Sequence, residues 1–147
     1  PGEAPSVLSV MIVDDEAPAR ARLRDLLKDI APQLANEVVC EAADGLAALA
    51  LIEKRRIDVL LVDIRMPGMG GIELARHLFH CERRPAVIFV TAFDAYAVRA
   101  FELNAVDYLL KPVRAQRLLA ALRKVRERAP LSPAQIEPAQ QAANSGG

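Results

Sequence analysis

The chain has 147 residues, of which 52% are hydrophobic and 26% charged, with 19 basic and 19 acidic side chains. A chain of this length can bury one hydrophobic core but is too short for two ordinary domains. The balanced charge argues against a disordered protein and gives no general field for binding nucleic acid. Its apolar segments are shorter than the roughly 20 residues that span a bilayer, and its first residues lack the pattern of a secretion signal, so we predict a cytoplasmic protein without a membrane partner.

Five apolar segments with the length of β-strands recur along the chain, at residues 7–15, 37–43, 58–64, 86–92 and 105–112. Three stretches within them, 59–62, 87–90 and 108–110, show no alternation of apolar and polar residues. This pattern favours central parallel strands that are covered on both faces. Segments with helical spacing of apolar residues separate the strands. Five alternating β and α units predict a parallel α/β sheet with helices on both faces.

Local residues also mark the ends of several elements. Pro18 suits the first turn of a helix after the first strand, and Asp94 is predicted to cap a helix that ends near Asn104. Residues 129–147 contain three of the ten prolines and no apolar face. We therefore predict a folded domain over residues 7–128, followed by a disordered linker or tail.

Side chains with useful chemistry stand where the predicted strands end. Asp14 and Asp15 follow the first strand, Asp63 the third, Thr91 ends the fourth and Lys111 the fifth. Because parallel strands end at the same edge of a sheet, these side chains are expected to converge. Clustered carboxylates favour a hard cation such as Mg²⁺, and a lysine can pair with a phosphoryl group. The set predicts phosphoryl transfer to a carboxylate nucleophile.

These residues belong to four short motifs, "VDDE" at 13–16, "LLVDIRMPGMGG" at 60–71, "VTA" at 90–92 and "DYLLKP" at 107–112. In order and spacing the motifs closely resemble the receiver domain of bacterial two-component response regulators. The segments "DDEAPARARL" (14–23) and "AFELNAVDYLLKPV" (100–113) look most like its LytR/AlgR (LytTR-type) subgroup. The resemblance implies a flavodoxin-like (CheY-like), doubly wound sheet of five parallel strands in the order 2-1-3-4-5.

The resemblance also implies a role for each acidic residue of the site. Asp63 would be the phosphoacceptor and one of the metal ligands. Asp15 would bind Mg²⁺ or Mn²⁺ directly and Asp14 through water. The backbone carbonyl of Arg65 would be a further ligand.

Four other residues receive roles in the same way. Lys111 would pair with the phosphoryl group and precede a cis peptide bond to Pro112. Thr91 and Tyr108 would form a switch pair, in which the hydroxyl turns toward the phosphoryl oxygen and the aromatic ring moves inward behind it.

The family further implies partners for the chain. A sensor histidine kinase would supply the phosphoryl group, and phosphorylation would promote a homodimer through the fourth helix, fifth strand and fifth helix, about 95–128. DNA would be contacted only through a C-terminal effector domain, for which the residues after Arg128 leave no room. We predict no turnover enzyme, only self-phosphorylation from small donors and autodephosphorylation.

Three other functions would use parts of the same pattern. A phosphatase of the haloacid dehalogenase type has a second acid two residues after its nucleophile, whereas Arg65 stands there. A flavodoxin-like cofactor binder would hold FMN phosphate in the loop that here reads "DDEAPAR", which repels anions. A degenerate receiver that only binds other proteins would lack part of the residue set, and the full set is present.

Two surface patterns carry simpler predictions. The segment "GMGG" at 68–71 is predicted to be a flexible turn in which glycine permits positive φ. The basic helix at 114–128 is predicted to expose a solvated face. If that helix forms a dimer contact, Asp94, Glu102 and Asp107 are candidates for the opposing charges.

Overall fold

A computed structural model describes residues 7–82 and 84–127, and in these ranges strands and helices alternate strictly. The strands are β1 (Leu8–Val13), β2 (Asn36–Ala42), β3 (Val59–Val62), β4 (Ala86–Thr91) and β5 (Asp107–Leu110). The helices are α1 (Ala17–Ile30), α2 (Gly45–Lys54), α3 (Gly71–Phe79), α4 (Ala97–Glu102) and α5 (Ala115–Arg126). The predicted tail at 129–147, and the predicted domain boundary at 128, lie outside the described residues.

The five strands form one parallel sheet in the order β2-β1-β3-β4-β5, which confirms the predicted fold. All four residues of β3 are buried, as are residues 87–90 of β4, so the prediction of covered central strands is confirmed for both. For residues 108–110 it is wrong. Because β5 is the last strand of the sheet, Tyr108 is only half-buried and Leu110 is 48% exposed.

Helices cover both faces of the sheet. Val10 and Ile12 of β1 belong to the cluster formed with α1 and α5, whereas Met11 and Val13 belong to the cluster formed with α2, α3 and α4. Successive residues of a strand point to opposite faces, so β1 is committed to both layers and cannot slip by one residue without inverting them. This constraint fixes the position at which Asp14 and Asp15, the residues after β1, leave the sheet. In the described ranges, no helix combines the length and the hydrophobicity that crossing a bilayer requires.

The start of α4 differs from the prediction. Pro18 lies in the first turn of α1 as expected, but Asp94 does not cap α4, whose N-cap is Tyr96 without a side-chain hydrogen bond. The backbone N–H of Tyr96 instead donates to the hydroxyl of Tyr108 at 3.3 Å. This tertiary contact holds the preceding residues in a turn and delays the helix. Asn104 follows α4 with a φ of 61°, a conformation that asparagine tolerates well.

Asp107 joins β5 to α5 within the same chain. It is 5% exposed, and its two oxygens accept hydrogen bonds from Arg117 at 2.7 and 2.8 Å and from Lys124 at 2.9 Å. Burial raises the pKa of Asp107, but these donors more than offset it and hold the pKa below its usual value. Within its own chain Asp107 is already paired, so part of the basic face of α5 is paired rather than simply solvated, and a contact of Asp107 with a second copy stays a prediction.

We expect Asp107→Asn to lower the free energy of unfolding by about 1 to 2 kcal/mol at pH 7, because charged hydrogen bonds become neutral and both donors are partly exposed. The ordinary aspartate pKa is 3.8, and the pKa of Asp107 in the folded protein is lower. The stabilisation by the Asp107 carboxylate is therefore complete above pH 3.8 and is lost as the pH falls through the pKa of the folded protein. Urea unfolding of both proteins should show a constant difference at pH 7 and pH 5. If the difference in unfolding free energy between the two proteins were already smaller at pH 5 than at pH 7, the pairing of Asp107 with Arg117 and Lys124 would be contradicted.

Candidate functional site

The acidic residues meet because of the strand order. Asp14 follows β1 and Asp63 follows β3, and these two strands are neighbours in register, with Val13 beside Val62. The backbone N–H of Asp63 donates to the carbonyl of Val13 at 2.9 Å, which continues the ladder past the end of the strand. Both carboxylates therefore leave the sheet at the same level.

Lys111, which follows β5, reaches across β4 to this pair. Its Nζ donates to Asp14 Oδ2 at 2.9 Å and to Asp63 Oδ2 at 3.0 Å. Asp14 is 1% and Asp63 9% exposed, so the single ammonium offsets part of the cost of burying these two carboxylates. Burial lowers the pKa of Lys111, but the hydrogen bonds and charges of the two carboxylates outweigh it, and the pKa lies above its ordinary value. The peptide bond from Lys111 to Pro112 is cis.

Each buried carboxylate is also held by the backbone. Asp14 Oδ1 accepts from the N–H of Glu16 at 2.9 Å, and Asp63 Oδ1 accepts from the N–H of Ile64 at 2.7 Å. The second oxygen of each group is the one that faces Lys111. The two Oδ2 atoms therefore share one ammonium group.

Asp15 completes an acidic cluster. Carboxylate oxygens of Asp14, Asp15 and Asp63 lie within 4.8 Å of one another, with Asp15 exposed and the other two buried. Oxygen donors at this spacing, with one side open to solvent, suit Mg²⁺, which keeps several waters and binds through a few carboxylates. The residues present fit a divalent metal.

Arg65 contributes its side chain elsewhere. The guanidinium lies over the ring of Phe93, 4.7 Å from the ring centroid, in a cation–π contact. This contact joins the loop after β3 to the loop after β4. Only the backbone of Arg65 remains as a candidate metal ligand, as the resemblance implies.

The two residues of the implied switch pair bind the same loop, which follows β4. Thr91 is fully buried, and its Oγ1 accepts from the N–H of Phe93 at 3.4 Å. The hydroxyl of Tyr108 donates to the carbonyl of Phe93 and accepts from the N–H of Tyr96. The ring of Tyr108 is half-buried and tilted against Phe89, 6.2 Å between centroids, and burial raises the pKa of its hydroxyl.

The glycines after β3 act in two ways, only one of which was predicted. Gly68 has a φ of +71°, in agreement with the prediction. A Cβ on Gly70 would lie 2.6 Å from the carbonyl oxygen of Ile64, and one on Gly71 would overlap the carbonyl of Asp63. For these two residues the requirement is close backbone approach rather than positive φ. The start of α3 is thereby packed directly against the residue that carries the site's central carboxylate.

Two residues near the site were missed by the sequence analysis. Phe93 receives the contacts of Thr91, Tyr108 and Arg65, although it is 39% exposed and looks like an ordinary loop residue. Arg20 donates to the backbone carbonyl of Asp14 at 2.7 Å. Its place in "DDEAPARARL", within two helical turns of the acids, was the available signal.

Comparisons with known proteins show the family of the chain. Residues 10–123 match the family described as "Response regulator receiver domain". The chain is 47% identical over 119 residues to the positive alginate biosynthesis regulatory protein of Pseudomonas aeruginosa, covering 80% of this chain and 46% of that protein. It is 45% identical over 121 residues to the transcriptional regulatory protein BtsR of Salmonella typhi, covering 82% and 49%. The chain thus spans about half the length of the curated relatives it matches.

Solved structures give the same result. The response regulatory domain of mrkE from Klebsiella pneumoniae superposes with a TM-score of 0.75 at 33% identity, covering 83% of this chain and 98% of that one. The REC domain of AraT, a response regulator from Geobacillus stearothermophilus, gives 0.72 at 38% identity, covering 84% and 95%. The sequence relatives include regulators of the LytR/AlgR subgroup, and the solved structures with the same fold are receiver domains. The chain therefore belongs to the response regulator receiver domains of two-component systems, a family of signalling domains.

Proposed function

We propose that this receiver accepts a phosphoryl group from a sensor histidine kinase on Asp63. The carboxylates of Asp14, Asp15 and Asp63 and the backbone carbonyl of Arg65 would hold the metal. One observation carries the proposal, namely the ammonium of Lys111 held between Asp14 and Asp63 with a third carboxylate beside them. This arrangement provides a nucleophile, a mobile positive charge and a cation site within one small volume.

In the proposed reaction the Oδ2 atom of Asp63 attacks the phosphorus atom, and the bond from phosphorus to the imidazole nitrogen of the kinase breaks. A bound Mg²⁺ supplies neutralisation of the phosphoryl charge. Lys111 gives up its hydrogen bond to Asp63 and donates to a phosphoryl oxygen, while the same Nζ keeps its hydrogen bond to Asp14 Oδ2. Small donors such as acetyl phosphate react slowly by the same route, and water later hydrolyses the acyl phosphate.

Intact-mass measurement tests this assignment. After incubation with acetyl phosphate and Mg²⁺, the protein is expected to gain the mass of one phosphoryl group, and Asp63→Asn is expected to gain none, because the amide is not a nucleophile. Asp58→Asn is a matched control, since Asp58 precedes the same strand and caps the backbone N–H of Ser9. A mass gain that persists in Asp63→Asn would falsify the choice of acceptor.

Phosphorylation is proposed to act on the loop after β4. The phosphoryl group adds three acceptor oxygens and about 1.5 to 2 negative charges, and the Thr91 hydroxyl exchanges its contact with Phe93 for one of these oxygens. Tyr108 then releases the carbonyl of Phe93 and its ring moves inward. Converting a resting population of 1:99 to 99:1 takes about 5.5 kcal/mol of differential interaction, which a few charge-assisted hydrogen bonds can supply.

The output surface is proposed to comprise α4, β5 and α5. Two of its apolar side chains are exposed, Val98 on α4 by 62% and Leu110 on β5 by 48%, and α4 has no side-chain cap. We propose that this face forms a homodimer on phosphorylation. The name of the relative BtsR, a transcriptional regulatory protein, supports a role in transcription. We propose that the chain acts in the cytoplasm, with DNA contacted by a separate effector domain rather than by these residues.

Beryllofluoride with Mg²⁺, which mimics the phosphoryl group, tests the switch. We expect the amide resonances of residues 92–110 to shift and the molecular mass measured by light scattering to double. Tyr108→Phe lacks the hydroxyl that binds Phe93 and is expected to show part of the resonance shift before the mimic is added. Unchanged spectra in this region would rule out the switch even if Asp63 is phosphorylated.

A further inference from the structure

Arg20 on α1 contacts the loop that carries the acidic cluster. Its Nη1 donates to the backbone carbonyl of Asp14 at 2.7 Å, and its Nε donates to Glu41 Oε1 at 3.1 Å. The side chains of Arg20 and Glu41 are 22% and 25% exposed, so this bridge is largely shielded from water. Arg20 thus connects α1, the end of β1 and the end of β2 through a single guanidinium.

The carbonyl that Arg20 binds belongs to the peptide unit that leads into Asp15. A peptide unit is planar, so the oxygen of Asp14 and the N–H of Asp15 turn together. Asp14 itself is held at its N–H by Ala42, at 3.0 Å, and at its carboxylate by Lys111. Asp15 has an exposed side chain, so the position of its carboxylate depends on the peptide that precedes it.

We propose that Arg20 is a positioning residue for the divalent metal. By fixing the peptide between Asp14 and Asp15, it holds the Asp15 carboxylate where the cation binds and lowers the entropy lost on binding. The inference rests on the proposed metal site and adds to it a residue outside the acidic cluster. It also explains why a positively charged arginine lies beside a site for a metal cation.

The charge of Arg20 alone would act in the opposite direction. A guanidinium near a metal site repels the metal, but the Glu41 carboxylate neutralises it at 3.1 Å. When Arg20 is removed, Glu41 retains the guanidinium of Arg24, whose Nη1 lies 2.8 Å from Oε2. The net charge of Arg20, Glu41 and Arg24 together then falls from +1 to 0, which by itself favours a bound cation. Loss of positioning weakens metal binding and loss of repulsion strengthens it, so the sign of the effect separates the two.

The test uses the whole chain with Mn²⁺ as the probe, and the free ion is measured by electron paramagnetic resonance. For Arg20→Ala we expect the Kd of Mn²⁺ to rise by about tenfold, the usual effect of removing an outer contact to a metal-binding residue. Arg20→Lys should weaken binding similarly, because one ammonium cannot replace a planar fork that bridges two acceptors. Arg24→Ala removes the same charge from the same helix and the same partner, and its Kd should stay within about twofold, as for an exposed pair.

Thermal unfolding without metal shows which variants are folded. If Arg20→Ala is unfolded, the Mn²⁺ test relies on Arg20→Lys. Equal or tighter Mn²⁺ binding by a folded Arg20 variant would overturn the assignment, as would an equal loss in Arg24→Ala. If the unsubstituted protein itself binds no Mn²⁺, the proposed metal site fails and this inference fails with it. Binding by the unsubstituted protein together with an unaffected Arg20 variant removes only the role of Arg20.

Discussion

Replacing Lys111 with methionine is expected to slow phosphorylation of Asp63 by about 100-fold or more, the usual effect of removing one group that stabilises developing charge. The ammonium lies 3.0 Å from Asp63 Oδ2, and in the proposed reaction it donates to the transferred phosphoryl group. Methionine keeps a flexible unbranched stem and removes the charge. The rate is measured as the gain in intact mass over time with acetyl phosphate and Mg²⁺.

The same substitution is expected to tighten Mn²⁺ binding. Lys111 and the metal draw on the same two carboxylates, Asp14 and Asp63, so removing the lysine relieves a competition between cations. Slower phosphorylation together with tighter metal binding cannot arise from a damaged fold, which would weaken both.

Lys124→Met is the matched control for this prediction. Lys124 also pairs with a buried aspartate, Asp107, at 2.9 Å. Asp107 begins β5, whereas Lys111 follows the end of that strand, so the control contact lies at the opposite end of β5. Phosphorylation of Lys124→Met should proceed at the normal rate. A normal rate for Lys111→Met would show that the lysine only stabilises the resting site.

The core of the site could be predicted because it depends on topology. Asp14, Asp63 and Lys111 each directly follow a strand, and strand ends can be read from apolar runs with little error. Once the strands are parallel and adjacent, their following residues share one edge of the sheet, however far apart they are in the chain. The pairs formed by Lys111 span 48 and 97 residues. The roles assigned to these residues remain predictions until the chemistry is measured.

Contacts that depend on side-chain direction could not be predicted in this way. Asp94 has the composition of a helix cap, but the bond from Tyr96 to Tyr108 displaces the helix start. The pairing of Asp107 within the chain was not predicted, because nothing in the local sequence shows that α5 places two cations over it. Arg20 stands close to the acids in the sequence, but nothing in the sequence shows that its guanidinium turns back to the carbonyl of Asp14. In each case a long-range contact outweighs a local preference.

The largest expected loss of stability comes from a single methyl group at Gly71. The N–H of Gly71 donates to the carbonyl of Ile64 at 2.8 Å, and a Cβ at this position would overlap the carbonyl oxygen of Asp63 and lie 2.9 Å from its carbon. Because the obstacle is backbone, no side chain can rotate to relieve it. We expect Gly71→Ala to lower the free energy of unfolding by about 3 kcal/mol or more, at the upper end for overpacking, despite the better helix propensity of alanine. Urea unfolding measures the change.

Gly68→Ala separates lack of space from backbone strain. Around Gly68 no heavy atom lies within 4 Å of an added Cβ, but its φ is +71°. The only cost of Gly68→Ala is that alanine must adopt a left-handed conformation, which lowers the free energy of unfolding by about 1 to 2 kcal/mol. Gly71→Ala should therefore be the more destabilising of the two, and because it displaces the carbonyl of Asp63 it should also slow phosphorylation in the fraction that remains folded. If Gly68→Ala cost more than Gly71→Ala, the approach of α3 to Asp63 would not be the constraint that positions the acceptor.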